Sequence, residues 1–473
     1  MGGLRALRDW VMKRATGLCI GVAAVIVLIF GFAMVTLAAD DHPLSILDEH
    51  VHYDTQLKIH HGELSYRGAL YEEEVVDEWA CGIGHEAGGL IHGCGDPALD
   101  VRDVTSGQYT TGYIHYPTYF LGAEAFRWVV ESVGIQLHDI TVYRVFSALL
   151  MTLGVVAMGL FAFALGQRRL GLIAAVSLPV AATSITVMGG MITPNATSIL
   201  AGALVGGTGL LWIKRGKGFT WLALSAVFAA SIAVVNSLVL GGFLFAILVV
   251  WIAQRRGWST PGPWRPRLWQ LIVLAAIVLL PVVLWGRYIA GTATVSNAEV
   301  YGPYQFSGWS TIAIGALQEF FALHSPWTEW GYAVPAGPGV ISDALRSIAV
   351  GLPLWITVIT VGALLYGVLG ADFRRRAGLP VGRERLDDRA PARMLDPVRI
   401  VATGSLITLV LYPVALRVSN ALTFGIDFAI VSRYSMPFAA LIVLLVLCLV
   451  GQRRVRVVLA VIGVVGVLAS IGL

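Results

Sequence analysis

About eleven apolar runs of bilayer length follow one another along the chain, at residues 15–38, 141–166, 170–190, 195–213, 219–235, 237–253, 268–286, 347–370, 400–418, 437–451 and 456–473. Crossing the hydrocarbon core takes about 20 apolar residues in a helix. A chain written this way folds as an all-α polytopic membrane protein. Only 13% of the 473 residues are charged, about half the share of a soluble domain, which excludes a large soluble enzyme. With 18 Phe, 15 Tyr and 14 Trp among long aliphatic stretches, intrinsic disorder is excluded too. The first run exceeds the apolar core of about 7–15 residues in a cleavable signal peptide and reads as a signal anchor.

Basic residues mark one side. Arg5, Arg8, Lys13 and Arg14 precede the first run, and later clusters fall in every second connection. These are Arg168 and Arg169; Lys214, Arg215 and Lys217; Arg255, Arg256, Arg265 and Arg267; eight Arg from Arg374 to Arg399; and Arg453, Arg454 and Arg456. Together they hold 24 of the 33 Lys and Arg, and the positive-inside rule makes that side the cytoplasm. The expected order is a cytoplasmic N-terminus (1–14), a first transmembrane helix (15–38), an extracytoplasmic loop domain (39–140) and transmembrane helices 2–7 (141–286). A second extracytoplasmic loop (287–346) and helices 8–11 (347–473) follow, with a basic cytoplasmic loop at 371–399 and the C-terminus outside. The net charge of +4 would invite an anionic partner if spread over a soluble surface. Placed as it is, it orients the chain in a lipid bilayer, and no nucleic-acid partner is expected. All but four of the basic residues are Arg, a skew that fits a GC-rich bacterial genome and a multi-pass protein of the bacterial cytoplasmic membrane.

The opposite side is chemically different. All ten His fall there, nine of them between residues 39 and 140, where 18 Asp and Glu face four Lys and Arg. Cys81 and Cys94 lie in the same loop. An oxidising location favours a disulfide between them; a zinc site with His85 or His92 is the alternative, although the spacing matches no common zinc pattern.

Several short constellations stand on this side. Asp48, Glu49, His50, His52 and Asp54 form a cluster just beyond the first span; it is either a solvated acidic loop start or a carboxylate–imidazole base, or part of a divalent-cation site. His115-Tyr-Pro-Thr-Tyr-Phe120 reads as an aromatic interface anchor as well as a candidate pocket. Arg144 sits near the outer end of the second span, where snorkelling is easy. Arg433, at the mouth of a late span, suits a phosphate, a lipid headgroup or Asp427. Asn195 stands in a tight hairpin whose residues are good turn formers. The chain carries no P-loop, no dinucleotide-binding glycine motif, no HExxH and no GxSxG setting.

Taken in order, these pieces resemble the GT-C superfamily of membrane glycosyltransferases. More narrowly, the chain resembles a bacterial branch of predicted membrane proteins of unassigned activity. A D-E-x-x-H-[FY] start is matched by Asp48, Glu49, His52 and Tyr53, and H-x-P-x-Y-[YF] by His115, Pro117, Tyr119 and Phe120. R-x-x-S is matched by Arg144 and Ser147, the hairpin Asn by Asn195, and R-Y-x-x-P by Arg433, Tyr434 and Pro437. The resemblance implies a GT-C-like fold of about 11 transmembrane helices and transfer of a sugar from a polyprenyl-phosphate donor to a cell-envelope acceptor outside the membrane. It implies that Asp48 or Glu49 is the general base, with His52 assisting. Arg433, with Arg144 and His324, would neutralise the departing phosphate, and Tyr53, His115, Tyr119 and Tyr434 would line the donor and acceptor pocket. No cofactor is called for beyond a possible divalent cation at Asp48 and Glu49. Two other classes compete. A transporter or flippase would show inverted repeats and broken helices, and a non-catalytic envelope-assembly protein would need the loop but not the acidic pair.

Overall fold

The computed structural model describes residues 2–40, 42–45, 48–83, 90–105, 107–258, 262–302, 308–322, 324–327, 340–376 and 395–471, without the side chains of 2–13, 340–350 and 370–376. His85, most of the basic 371–399 connection and part of the 287–346 segment lie outside the described residues. The regular elements among them are all helices, and the only strand-like pairings among the described residues are isolated bridges at Leu70 with Tyr109 and Leu90 with Val104.

The first helix, α1 (Gly2–Ala39), leads to a domain with α2 (Glu49–His60), α3 (Glu73–Cys81) and α4 (Thr118–Ser132). The apolar bundle follows: α5 (Asp139–Ala164), α6 (Leu170–Ser177), α7 (Thr183–Gly189), α8 (Ser198–Arg215), α9 (Phe219–Ile232), α10 (Val234–Ser237), α11 (Leu240–Arg255) and α12 (Leu268–Thr292). Short α13 (Asn297–Tyr301) and α14 (Trp309–Phe321) come next, then α15 (Val340–Arg376), α16 (Pro397–Thr423), α17 (Met436–Leu449) and α18 (Arg453–Ser470).

Helix makes up most of the described part of each of the eleven apolar runs, but among the described residues eight helices are long and apolar enough to cross a membrane, or nine if a bent pair counts as one span. The bent pair is α6 with its 3-10 extension to Val180, followed by α7 at 73°. Pro179 stands at the bend, where it removes an amide donor from the helical ladder. The 219–235 run gives only the 14-residue α9, because Ala233 is extended (φ −157°) and restarts the chain as α10. The 456–473 run gives α18, whose first turn carries Arg453, Arg454 and Arg456. The structure therefore supports a polytopic helical membrane protein, with a smaller count of qualifying spans than the runs implied.

Helices α8 and α17 form the centre; most of each is buried inside the protein, whereas little of α12 is. Two small residues let them meet. A Cβ added at Gly202 would collide with the Pro437 carbonyl, and one at Gly206 would press on Leu441. Small residues four apart are the usual means of close helix approach in lipid. Around this pair, α5, α11 and α16 complete the packed interior.

The 42–138 domain has its own core, in which Val51, Leu57, Val75, Trp79 and Phe120 pack with Tyr143 of α5. Cys81 and Cys94 are joined by a disulfide with Cα atoms 4.9 Å apart, so the end of α3 is tied to the following loop. Nearby His92 bonds Asp103 at 2.9 Å, and among the described residues no set of three His, Cys, Asp or Glu side chains is placed to hold a metal ion.

Candidate functional site

Asp48 and Glu49 are neighbours in sequence that part company in space. Successive helical residues point about 100° apart, and Asp48, at the N-cap of α2, adds a left-handed backbone (φ 72°). Glu49 turns inward and is fully buried. It accepts Arg144 Nε at 2.8 Å and Nη2 at 3.1 Å, together with the amides of Ile192 (3.0 Å) and Ser45 (2.9 Å). Two further Arg144 N–H groups go to the carbonyls of His42 and Pro43, at 3.1 and 3.2 Å. This buried pair ties α2, α5, the segment after α1 and the turn after α7 at one point. With four donors on its two oxygens, Glu49 offers no open lone pair for a substrate proton. Arg144, grouped by sequence with the phosphate ligands, has its fork committed to Glu49.

Asp48 points the other way, into a cleft, and its side chain is 47% exposed. Arg433 Nη2 donates to its Oδ2. Arg433 stands on the 3-10 turn Ser432–Ser435 that opens into α17, so α2 and α17 present the two charges to each other. The alternative partner for Arg433, Asp427, is instead bound by Arg417 at 2.7 Å.

His52, one turn along α2 from Asp48, meets His115 edge-on with ring centroids 4.6 Å apart. Burial holds the His52 imidazole well below the ordinary range, and the neighbouring His115 and Arg433 act in the same direction. Burial likewise lowers His115 to about 4, with Arg433 adding to this and Asp48 opposing it. Both rings are therefore neutral near pH 7, and each has one nitrogen to donate and one to accept. His115 is delivered by the 3-10 turn Gly112–Ile114, and Pro117 then begins α4.

Asp48, His52, His115 and Arg433 line one partly open cleft with about 130 Å³ of water-accessible space. Asn195, Ser419, Asn420 and Tyr434 add polar groups to its lining, and Tyr116, Trp285, Ile232 and Val282 add aromatic and apolar ones. Trp285 is fixed by its N–H bond to the Tyr113 carbonyl (2.9 Å) and by stacking on Tyr288 at 4.6 Å.

Two of the expected pocket residues, Tyr53 and Tyr119, and the expected phosphate ligand His324 lie elsewhere. Tyr53 faces the domain core, where burial raises its phenol. Tyr119 is buried too, bonding Ser147 at 2.6 Å and accepting the Thr193 amide at 3.2 Å. His324 belongs to a separate buried cluster, with Nε2 2.8 Å from the Ile430 carbonyl and 3.2 Å from Glu319. Glu319 in turn faces Arg417 at 3.4 Å. The possible divalent-cation pair is divided, since Glu49 is turned to Arg144 and Asp48 to Arg433.

Sequence reasoning missed Trp285, Ser419 and Asn420. Trp285 had one signal, a lone indole with polar neighbours near the end of an apolar run; Ser419 and Asn420 had another, two adjacent polar residues before a span terminus. No protein-family model matches the chain, and no curated protein matches it.

Proposed function

We propose that the protein is a membrane glycosyltransferase of the GT-C type, transferring a sugar from a polyprenyl-phosphate donor to a cell-envelope acceptor on the extracytoplasmic face. The observation that carries this reading is the cleft in which the first-loop acid Asp48, His52 and His115 meet Arg433 of the last third of the chain. An acid and a guanidinium sharing one cleft at the end of a helical bundle suit a reaction that takes a proton from one substrate and leaves a phosphate on the other. In this reading the donor phosphate replaces the Asp48 carboxylate on Arg433, whose planar fork matches it. The freed carboxylate accepts the proton of an acceptor hydroxyl; the hydroxyl oxygen bonds to the anomeric carbon as the carbon–phosphate oxygen bond breaks. The phosphate leaves with its charge held by Arg433, and the anomeric centre inverts. His52 and His115, being neutral, orient hydroxyl groups, and Glu49 with Arg144 holds the start of α2 in place. The apolar lining from Trp285 and Val282 suits the first part of a lipid tail.

The same reading takes all eleven apolar helices as a GT-C-like transmembrane set, with the Arg-rich side in the bacterial cytoplasm and the 39–140 domain outside. A purified preparation supplied with polyprenyl-phosphate sugars and envelope glycan or lipid acceptors tests it. Transfer that depends on Asp48 supports the assignment, and no transfer from any such donor by folded protein counts against it. The 73° break between α6 and α7 and the break at Ala233 between α9 and α10 favour a transporter, for which broken helices are usual. Donor or sugar uptake into sealed vesicles without product formation would select that reading.

A further inference from the structure

Helix α4 carries an apolar stripe that nothing among the described residues covers. Leu121, Ala125, Trp128 and Val129 are exposed, at spacings that place them on one helical face. Trp128 is 70% exposed, and the stripe runs on through exposed Val133, Ile135 and Leu137. The opposite face is fully used. Phe120 and Ala123 are buried, and Glu124 is bonded by Gln56 and His60 of α2 at 3.3 and 3.0 Å. The exposed side is thus the remaining face of an otherwise packed amphipathic helix.

Its depth follows from its partner. Arg127 bonds Asp139 at 3.0 Å, Glu124 accepts Tyr143 at 2.8 Å, Phe126 meets Phe146 at 5.6 Å and Tyr119 meets Ser147 at 2.6 Å. So α4 lies against the first eight or so residues of span α5, about 12 Å of helix at 1.5 Å per residue. Counting about 20 residues, the thickness of the hydrocarbon core, back from Ala164 beside Arg168 and Arg169 reaches Val145. Phe146 and Ser147 therefore stand at the hydrocarbon boundary, and the rest of α4 lies in the headgroup layer just above it. Further along α5, Leu149, Leu153 and Leu160 are exposed as well.

We infer that α4 is seated in the headgroup layer of the bilayer leaflet on the domain side, with lipid covering the stripe from Leu121 to Leu137. Tryptophan is favoured at this level, where an apolar ring and a polar N–H are both satisfied. The consequence for the molecule is that His115 and Tyr116, which lead into α4, hold the cleft at the height of lipid headgroups. This inference is independent of the chemistry proposed above.

The test uses the full chain in nanodiscs of phosphatidylcholine and phosphatidylglycerol, with Cys19 and Cys448 replaced and the Cys81–Cys94 bridge kept. A nitroxide is attached in turn at Leu121→Cys, Trp128→Cys and Val129→Cys, with Glu63→Cys on the exposed domain surface as reference. Collision with oxygen is expected to exceed collision with a polar nickel chelate at the three stripe positions, and the reverse at position 63. Nickel access at the stripe equal to that at position 63 would overturn the inference. So would low access to both reagents, which means a protein surface covers it. The unlabelled chain gives a second readout, since a phospholipid with a photoactivatable group near its glycerol should form adducts within residues 121–137. Adducts on the spans with none in that segment would equally overturn it.

Discussion

Arg144 and Glu49 meet through two hydrogen bonds, 2.8 and 3.1 Å long, with both side chains out of water. The pair is 95 residues apart in sequence and joins the first turn of α2 to the second turn of span α5. It fixes where Asp48, the preceding residue, is aimed.

Removing one partner of such a pair leaves a buried charge uncompensated, at about 3–5 kcal/mol. Glu49→Gln and Arg144→Met are each expected to lower the thermal midpoint in detergent strongly. The double substitution should recover part of the loss. A Glu49→Gln variant that melts with the parent would show the pair to be unimportant for folding.

Asp48 is expected to behave differently. Asp48→Asn should leave the melting temperature near that of the parent and cut sugar transfer by about 10²–10⁴-fold, the usual weight of a general base. Arg433→Ala should weaken donor binding as well as rate, because a phosphate ligand acts in ground and transition states alike. Transfer kinetics with purified variants read both. Full activity in Asp48→Asn would remove Asp48 from the chemistry.

The buried imidazoles give a pH signature. His50, stacked on Trp79 at 4.3 Å, and His115 are both lowered from 6.5 to about 4, chiefly by burial. Between those values the unfolded chain takes up protons that the folded chain does not, so stability falls as pH drops. Their contribution is fully retained above pH 6.5 and is lost progressively toward pH 4. Melting temperatures across this range should fall with acid, and His50→Gln and His115→Gln should each flatten the slope.

Breaking the Cys81–Cys94 bridge should loosen the 42–138 domain. Closing a loop of about 15 residues contributes roughly 3 kcal/mol in the chain-entropy model. Reduction should therefore raise amide exchange around α3 and leave the α8–α17 centre protected. Mass spectrometry of unreduced protein is expected to show the two cysteines linked.

Orientation has its own check. Reporter fusions should place residues 371–399 in the cytoplasm and the C-terminus outside. A cytoplasmic signal from both would break the alternation that the Arg clusters imply.

The polytopic helical class was legible because a bilayer accepts so few ways of burying long apolar runs. The grouping of Asp48, His52, His115 and Arg433 was legible only through motif order; their distances are set by how α2 docks on the 3-10 turn before α17. The different duties of Asp48 and Glu49 were not legible, since adjacent residues diverge by the angle of one helical step and by the backbone of the cap. Nor was the commitment of Arg144, which needs the carbonyls of His42 and Pro43 and a carboxylate from a distant segment. The break at Ala233 has no proline or glycine to announce it. Asn236 just after it bonds Thr197 at 2.8 Å and accepts Ser198 at 3.1 Å, and that tertiary pull is invisible in a hydropathy profile.

The left-handed backbone at residue 48 also limits how this position can change over generations. Aspartate, asparagine and glycine tolerate that conformation, whereas most other side chains are strained there. Drift away from aspartate is thus channelled toward residues that keep the turn and discard the negative charge. A descendant that had undergone Asp48→Asn or Asp48→Gly would still fold and reach the membrane, yet the ion pair between residue 48 and Arg433 would be gone. Relatives without the charge, if they arise, should carry their history at this one site.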